Sequence, residues 1–166
     1  MRARLVAPLM AIAVAFSCAS AMAAATGPQP PAHVPGMPNV VLVSGCIPAM
    51  GYHYADPKTL PFGPIYGWYQ GKWIFTEIMP TTYQLSTAHQ SFDNVLKPLP
   101  GYAINHVDFW YEKNGHPGYW APHYDIHAFY APHAEQMHYC GDTAGVRMEF
   151  SKGPKGEVIM TPMHSN

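Results

Sequence analysis

Between residues 40 and 160, short apolar runs alternate with clusters of Pro, Gly, Asn and Asp, the rhythm of an antiparallel β protein. Residues 40–43 are a β-branched apolar run and predict a buried strand. Residues 46–64 carry many Pro and Gly and read as an ordered loop bearing aromatics. The clearest element covers residues 65–79, where IYGWY and KWIFTEIM flank Gln70-Gly71 and spell a β-hairpin with Gly supplying positive φ. In its second strand Phe75, Glu77 and Met79 share one face, and Ile74, Thr76 and Ile78 share the other. Residues 81–95 predict a helix-containing stretch, and residues 97–101 a Pro-rich break. Residues 105–112 (NHVDFWYE) predict a strand. Asn114-Gly115 turns the chain, Pro117-Gly118 lengthens the loop, and residues 119–130 return as the partner strand. A short helix over residues 132–140 has Pro132 at its first position, and residues 147–150 and 158–160 flank a Gly-Pro-Lys-Gly turn as a last hairpin. The sum is a mainly β chain, an antiparallel β-sandwich or small barrel with one or two short helices. Residues 40–166 form its single domain, preceded by a Pro/Gly/Ala-rich flexible arm over residues 24–39.

The first 23 residues change the compartment. Arg2 and Arg4 precede an apolar run over residues 5–16, shorter than the ~20 residues a span requires. Ala21-Met22-Ala23 is a small-x-small cleavage signal, so residues 1–23 predict a signal peptide and a periplasmic or secreted product with no membrane span after cleavage. A lipoprotein cut before Cys18 is the weaker rival, because Ala15-Phe16-Ser17 makes a poor lipobox. Cleavage leaves Cys46 and Cys140, and an even count in an oxidising compartment predicts a disulfide; a thiolate metal ligand is the alternative.

Composition then narrows the chemistry. Only 11% of residues are charged, against about 25% in an average soluble protein, and the net charge is −1, which excludes a basic nucleic-acid-binding surface. His, at 10 residues, equals the 10 Asp+Glu and exceeds the 9 Lys+Arg. The densest piece is Pro122-His123-Tyr124-Asp125-Ile126-His127. On a strand, His123, Asp125 and His127 face the same way, and i, i+2 neighbours stand ~6.6–6.8 Å apart along the chain, close enough to share one ion. The outer pair is about twice as far apart. Either an irregular backbone brings both His to one ion, or Asp125 pairs with only one of them. Asp125 could also orient a ligating imidazole. His53 in the Met-Gly-Tyr-His-Tyr loop and Glu77 in the hairpin complete the candidate set. A lone buried carboxylate is costly unless it is paired or binds a cation, although Lys72 or a Tyr hydroxyl would also serve Glu77.

The remaining His read as ordinary surface or core residues: His89, His106, His116, His133 and His138. Met160, Met163 and His164 offer soft donors for Cu(I), but a frayed tail is the simpler reading. No nucleophile elbow, P-loop, H-E-x-x-H or C-x-x-C pattern occurs.

Three segments together, CIPAMGYHYADP, PIYGWYQGKWIFTEIMPT and PHYDIHAFY, resemble a family of exported bacterial proteins that is a domain of unknown function. Its marks are a Met-Gly-x-His-aromatic loop, a Tyr-Gly…Gly-Lys…Glu hairpin and a Pro-His-x-Asp-x-His segment. Here Ala128 separates His127 from Phe129, a departure from the aromatic that follows directly in the family pattern. The resemblance implies a β-rich fold and the option of ring-like homo-oligomers. It marks His53, Glu77, His123, Asp125 and His127 as the matching polar positions, and it brings no established activity or small-molecule ligand.

The sequence therefore points to an exported metal-binding protein with a His/carboxylate site. Zn²⁺ is favoured and Cu is the alternative, because mixed N/O ligation discriminates weakly. A metal-dependent periplasmic enzyme, hydrolytic or oxidative, and a metal-free oligomeric assembly module are the rivals.

Overall fold

The computed structural model of the chain describes residues 27–141 and 147–163. The export signal with its competing cut at Cys18, the side chains of Met160 and Met163, and His164 lie outside the described residues.

The described chain is mainly β, as the apolar pattern predicts. Strands β1 (His33–Val34), β2 (Met37–Leu42), β3 (Tyr52–Ala55), β4 (Ile65–Tyr69), β5 (Lys72–Ile78), β6 (His106–Glu112) and β7 (His123–Phe129) form one sheet. Its order is β1-β2-β3-β4-β5-β7-β6, and all its pairings are antiparallel. Strands β8 (Arg147–Lys152) and β9 (Val158–Met163) pair separately as the last hairpin. Helix α1 (Thr82–Ser86) carries a full capping box between Thr81 and Gln84, and α2 (His133–Gln136) is a single turn.

Three expectations need correction. The stretch read as a flexible arm already contributes β1 and the start of β2, with Val34 only 1% exposed. Pro35-Gly36 makes the tight turn between them, with Gly36 at φ +75°, the left-handed conformation that glycine adopts without a Cβ clash. The Pro/Gly-rich loop contains β3, because the alternating segment Tyr52–Ala55 pairs with β4 on one side and β2 on the other. Pro132 caps α2 instead of opening it.

The Gln70-Gly71 hairpin forms as predicted, with both residues at positive φ, as a two-residue I′ turn requires. Farther along, Gly67 opposes Phe75 while Trp68 opposes Trp73, so Ile74 is an extra residue that bulges β5. Trp68 and Trp73 thereby join Tyr54, Tyr66, Val34 and Leu99 in one core. Phe75 stays opposite, with Ala55, Ile65, Met79, Phe129 and Tyr139. The Phe75 ring lies where a Cβ on Gly67 would be, so the absent side chain lets that ring cross β4 towards β3.

Cys46 and Cys140 stand at disulfide distance, with Cα atoms 5.7 Å apart. The Ala49 amide donates to the Tyr139 carbonyl at 2.9 Å, which ties the loop before β3 to the segment after α2.

Candidate metal centre

Strand register decides which polar side chains meet. Across the sheet, His53, Gly67, Phe75, Phe129 and His106 are successive cross-strand partners. The neighbouring row on the same face is Ala55, Ile65, Glu77, His127 and Asp108. Asp125 and His123 continue that face along β7. Among the described residues, this side of the sheet therefore carries three groups of two His and one carboxylate. Within each group the candidate ligand atoms lie within 4.8 Å of one another.

The first group joins β3, β5 and β7. His127 Nε2 lies 3.2 Å from Glu77 Oε1, and His53 Nε2 lies 3.8 Å from Glu77 Oε2. All three residues are buried, and Glu77 is 2% exposed. Phe75 presents its ring to both imidazoles, at centroid distances of 5.3 Å to His53 and 4.8 Å to His127. Burial pushes the His53 pKa down to about 4, overriding the nearby Asp125 charge, so the ring is neutral at physiological pH. Burial likewise raises the Glu77 carboxyl well above the usual range, and repulsion from Asp125 and Glu112 adds to it. His53 Nδ1 and Glu77 Oε2 are buried without a hydrogen-bond partner. Lys72, the expected alternative partner of Glu77, instead faces Glu135 at 3.6 Å on the surface.

The second group sits at the start of β7 and in the turn before it. His123 Nδ1 is 2.6 Å from the Ala121 carbonyl, and His116 Nδ1 is 3.1 Å from the Pro117 carbonyl. A carbonyl only accepts, so both Nδ1 atoms carry protons and donate. In its neutral form each ring then turns a bare Nε2 lone pair towards Asp125 Oδ1, at 2.9 Å for His123 and 3.8 Å for His116, whereas a protonated ring would donate from the same atom. His123 Nε2 and Asp125 Oδ1 are buried and make no hydrogen bond despite their proximity. Burial works to raise the Asp125 pKa, yet the adjoining imidazoles of His116 and His123 outweigh it and hold the carboxyl well below the usual range. Partial burial works to lower His116, and the Asp125 carboxylate reverses this and raises it.

The third group, His106, Asp108 and His133, lies at the sheet edge, where α2 meets β6.

Of the sequence-predicted residues, His53, Glu77 and His127 come together, and His123 and Asp125 come together with His116. Strand β7 keeps an unbroken register from His123 to Phe129, so the two His flanking Asp125 serve different groups. Sequence reasoning missed His116, His106, Asp108 and His133. One signal was available: polar residues at 106, 108 and 112 alternate with apolar ones at 107, 109 and 111. That marks a polar inner face, matched by exposure of 44% for Val107 and 64% for Phe109 on the other side.

No protein-family model matches the chain, and no curated protein matches it. Among solved structures, the chain is similar to the hypothetical protein TTHB210 from Thermus thermophilus, at 29% sequence identity and a TM-score of 0.48. The likeness covers 55% of this chain and 87% of that one.

Proposed function

We propose that this is an exported metal-binding protein whose buried sheet face holds divalent ions in two His/His/carboxylate groups, His53–Glu77–His127 and His116–His123–Asp125. The carrying observation is the pair of Nε2 lone pairs aimed at the Asp125 carboxylate. Backbone carbonyls fix both rings in the tautomer that leaves Nε2 bare. Lone pairs facing an anion inside a protein repel, whereas a cation between them turns every donor to use. The spacing fits. Tetrahedral zinc with bonds of about 2.0–2.1 Å sets its ligands roughly 3.3 Å apart. The separations here run from 2.9 to 3.8 Å.

Zn²⁺ is the favoured ion, since two imidazoles and one carboxylate suit it; Cu is the alternative. Burial of the ligands supports holding an ion, in a structural, sensing or sequestering role. The disulfide pairing of Cys46 with Cys140 is compatible with an oxidising compartment and supports export. A second reading, a homo-oligomeric assembly module, draws on the exposed row of Val107, Phe109 and Tyr111 along β6.

Elemental analysis of protein purified without a His tag or chelator tests the metal reading. At least one bound equivalent is expected, lost when His123→Ala and His127→Ala are combined. Sub-stoichiometric metal, unchanged by that double substitution, would sink it.

A further inference from the structure

The third group is the most open of the three: its His133 is far more exposed than His116, the most exposed member of the other two at 24%. His133 has a side chain 63% exposed, while those of His106 and Asp108 are 21% and 19% exposed. Behind them lies Gln136, which is fully buried although polar. Its Oε1 stands 3.0 Å from His106 Nε2 and 3.0 Å from His133 Nδ1. Its Nε2 donates to Asp108 Oδ2 at 3.4 Å. Asp108 Oδ2 in turn lies 3.9 Å from both His106 Nε2 and His133 Nδ1. Two ring nitrogens, a carboxylate oxygen and an amide oxygen therefore converge, with separations that bracket the roughly 3.3 Å edge of a tetrahedral zinc site.

We infer that His106, His133 and Asp108, with the Gln136 amide oxygen as fourth donor, form a solvent-facing site for a divalent first-row transition-metal ion. The site is distinct from the two buried groups. Without an ion, both imidazoles donate to the Gln136 oxygen, which holds them aimed at one point. On binding, both rings change tautomer: the His106 proton moves to Nδ1, where Asn105 Oδ1, 3.4 Å away, is placed to accept it, and the His133 proton moves from Nδ1 to Nε2 of its 63% exposed side chain, through solvent. The His106 ring is already fixed in position, stacked on Phe129 at an interplanar angle of 9°. His133 comes from α2, and the nearby Cys46–Cys140 pair fastens the chain just beyond that helix. An ion held partly by an exposed imidazole exchanges with solvent faster than one enclosed by buried ligands.

The site is tested by loading the untagged protein with Zn²⁺ and following release to a chromophoric chelator. The wild type should show a fast equivalent from this site, followed by slow release from the buried groups. His133→Ala should lose the fast equivalent alone, with only a small drop in thermal unfolding temperature in chelator, because His106 still donates to the Gln136 oxygen. Asp108→Asn should weaken the same equivalent at least tenfold. A wild type with no fast phase, or a fast phase of equal size in His133→Ala, overturns the site. Failure of the buried-site reading looks different: the slow phase disappears while the fast, His133-dependent phase remains.

Discussion

Replacing Asp125 by Asn should change the stability of the protein in opposite directions with and without metal. Asn keeps the shape of Asp and adds an N–H donor. In the metal-free protein at about pH 8, His123 Nε2 is a buried acceptor facing a carboxylate oxygen 2.9 Å away, and neither atom has a hydrogen-bond partner. The side-chain amide introduced by Asp125→Asn can donate to that nitrogen, which relieves a penalty of about 1–3 kcal/mol per orphaned group. At about 2–4 °C per kcal/mol for a chain of this size, the variant should melt several degrees higher than wild type in chelator. With Zn²⁺ the order reverses. At a free concentration about 100 times Kd, the wild type gains about 2.7 kcal/mol per ion. A variant bound about 100-fold more weakly gains only about 0.4 kcal/mol at the same concentration. The assay is thermal unfolding of both proteins, each in chelator and in buffered Zn²⁺. The opposite pattern refutes the reasoning. If Asp125 and the imidazoles formed a permanent buried ion pair, Asp125→Asn would lower stability by about 3–5 kcal/mol in chelator, and Zn²⁺ would change neither protein.

Further outcomes follow from neighbouring residues. Burial holds His53 near 4, below its unfolded value of 6.5, so the unfolded chain binds the extra proton between those values. Metal-free stability should therefore fall by about 3 kcal/mol as pH drops from 6.5 to 4, and urea titrations of His53→Asn should show a shallower fall. Metal retention should weaken below about pH 6 as imidazoles protonate, and retention unchanged at pH 5 would count against His ligation. Gly67→Ala places a methyl in the Phe75 ring, which touches both His53 and His127. A loss of about 1–3 kcal/mol in denaturant titration, together with weaker Zn²⁺ binding, is expected; a neutral effect on both would show that the ring moves aside freely. Cys46→Ser should lower stability by at most ~4–5 kcal/mol, given the sequence separation of 94 residues, and no loss at all would place the bracing elsewhere.

The residues that could be named from the sequence were those whose type conflicts with their local pattern. Glu77 stands out because KWIFTEIM is otherwise built to be buried, and its strand parity with Phe75 and Met79 is fixed by the pleat. His123, Asp125 and His127 are visible for the same reason. His116 was passed over because its role depends on a loop that folds back onto Asp125, and His106 and His133 because their partner Gln136 carries no charge to draw notice. Asn114-Gly115 marks a turn, but the connection between β6 and β7 runs from 113 to 122, and its length sets which residues face each other.

Alternation and turn chemistry by themselves determined that the chain is antiparallel and mainly β, that one hairpin turns at Gln70-Gly71, and that a few polar side chains are trapped among aromatics. These are local properties, set by a two-residue pleat and by the φ values that Gly and Pro permit. Tertiary structure alone decided that the His and carboxylates among the described residues divide into three groups instead of one. That division depends on strand order and register across β3, β5, β7 and β6. Register is a long-range quantity, fixed by the bulge at Ile74, the connection from β6 to β7 and the packing of both sheet faces together.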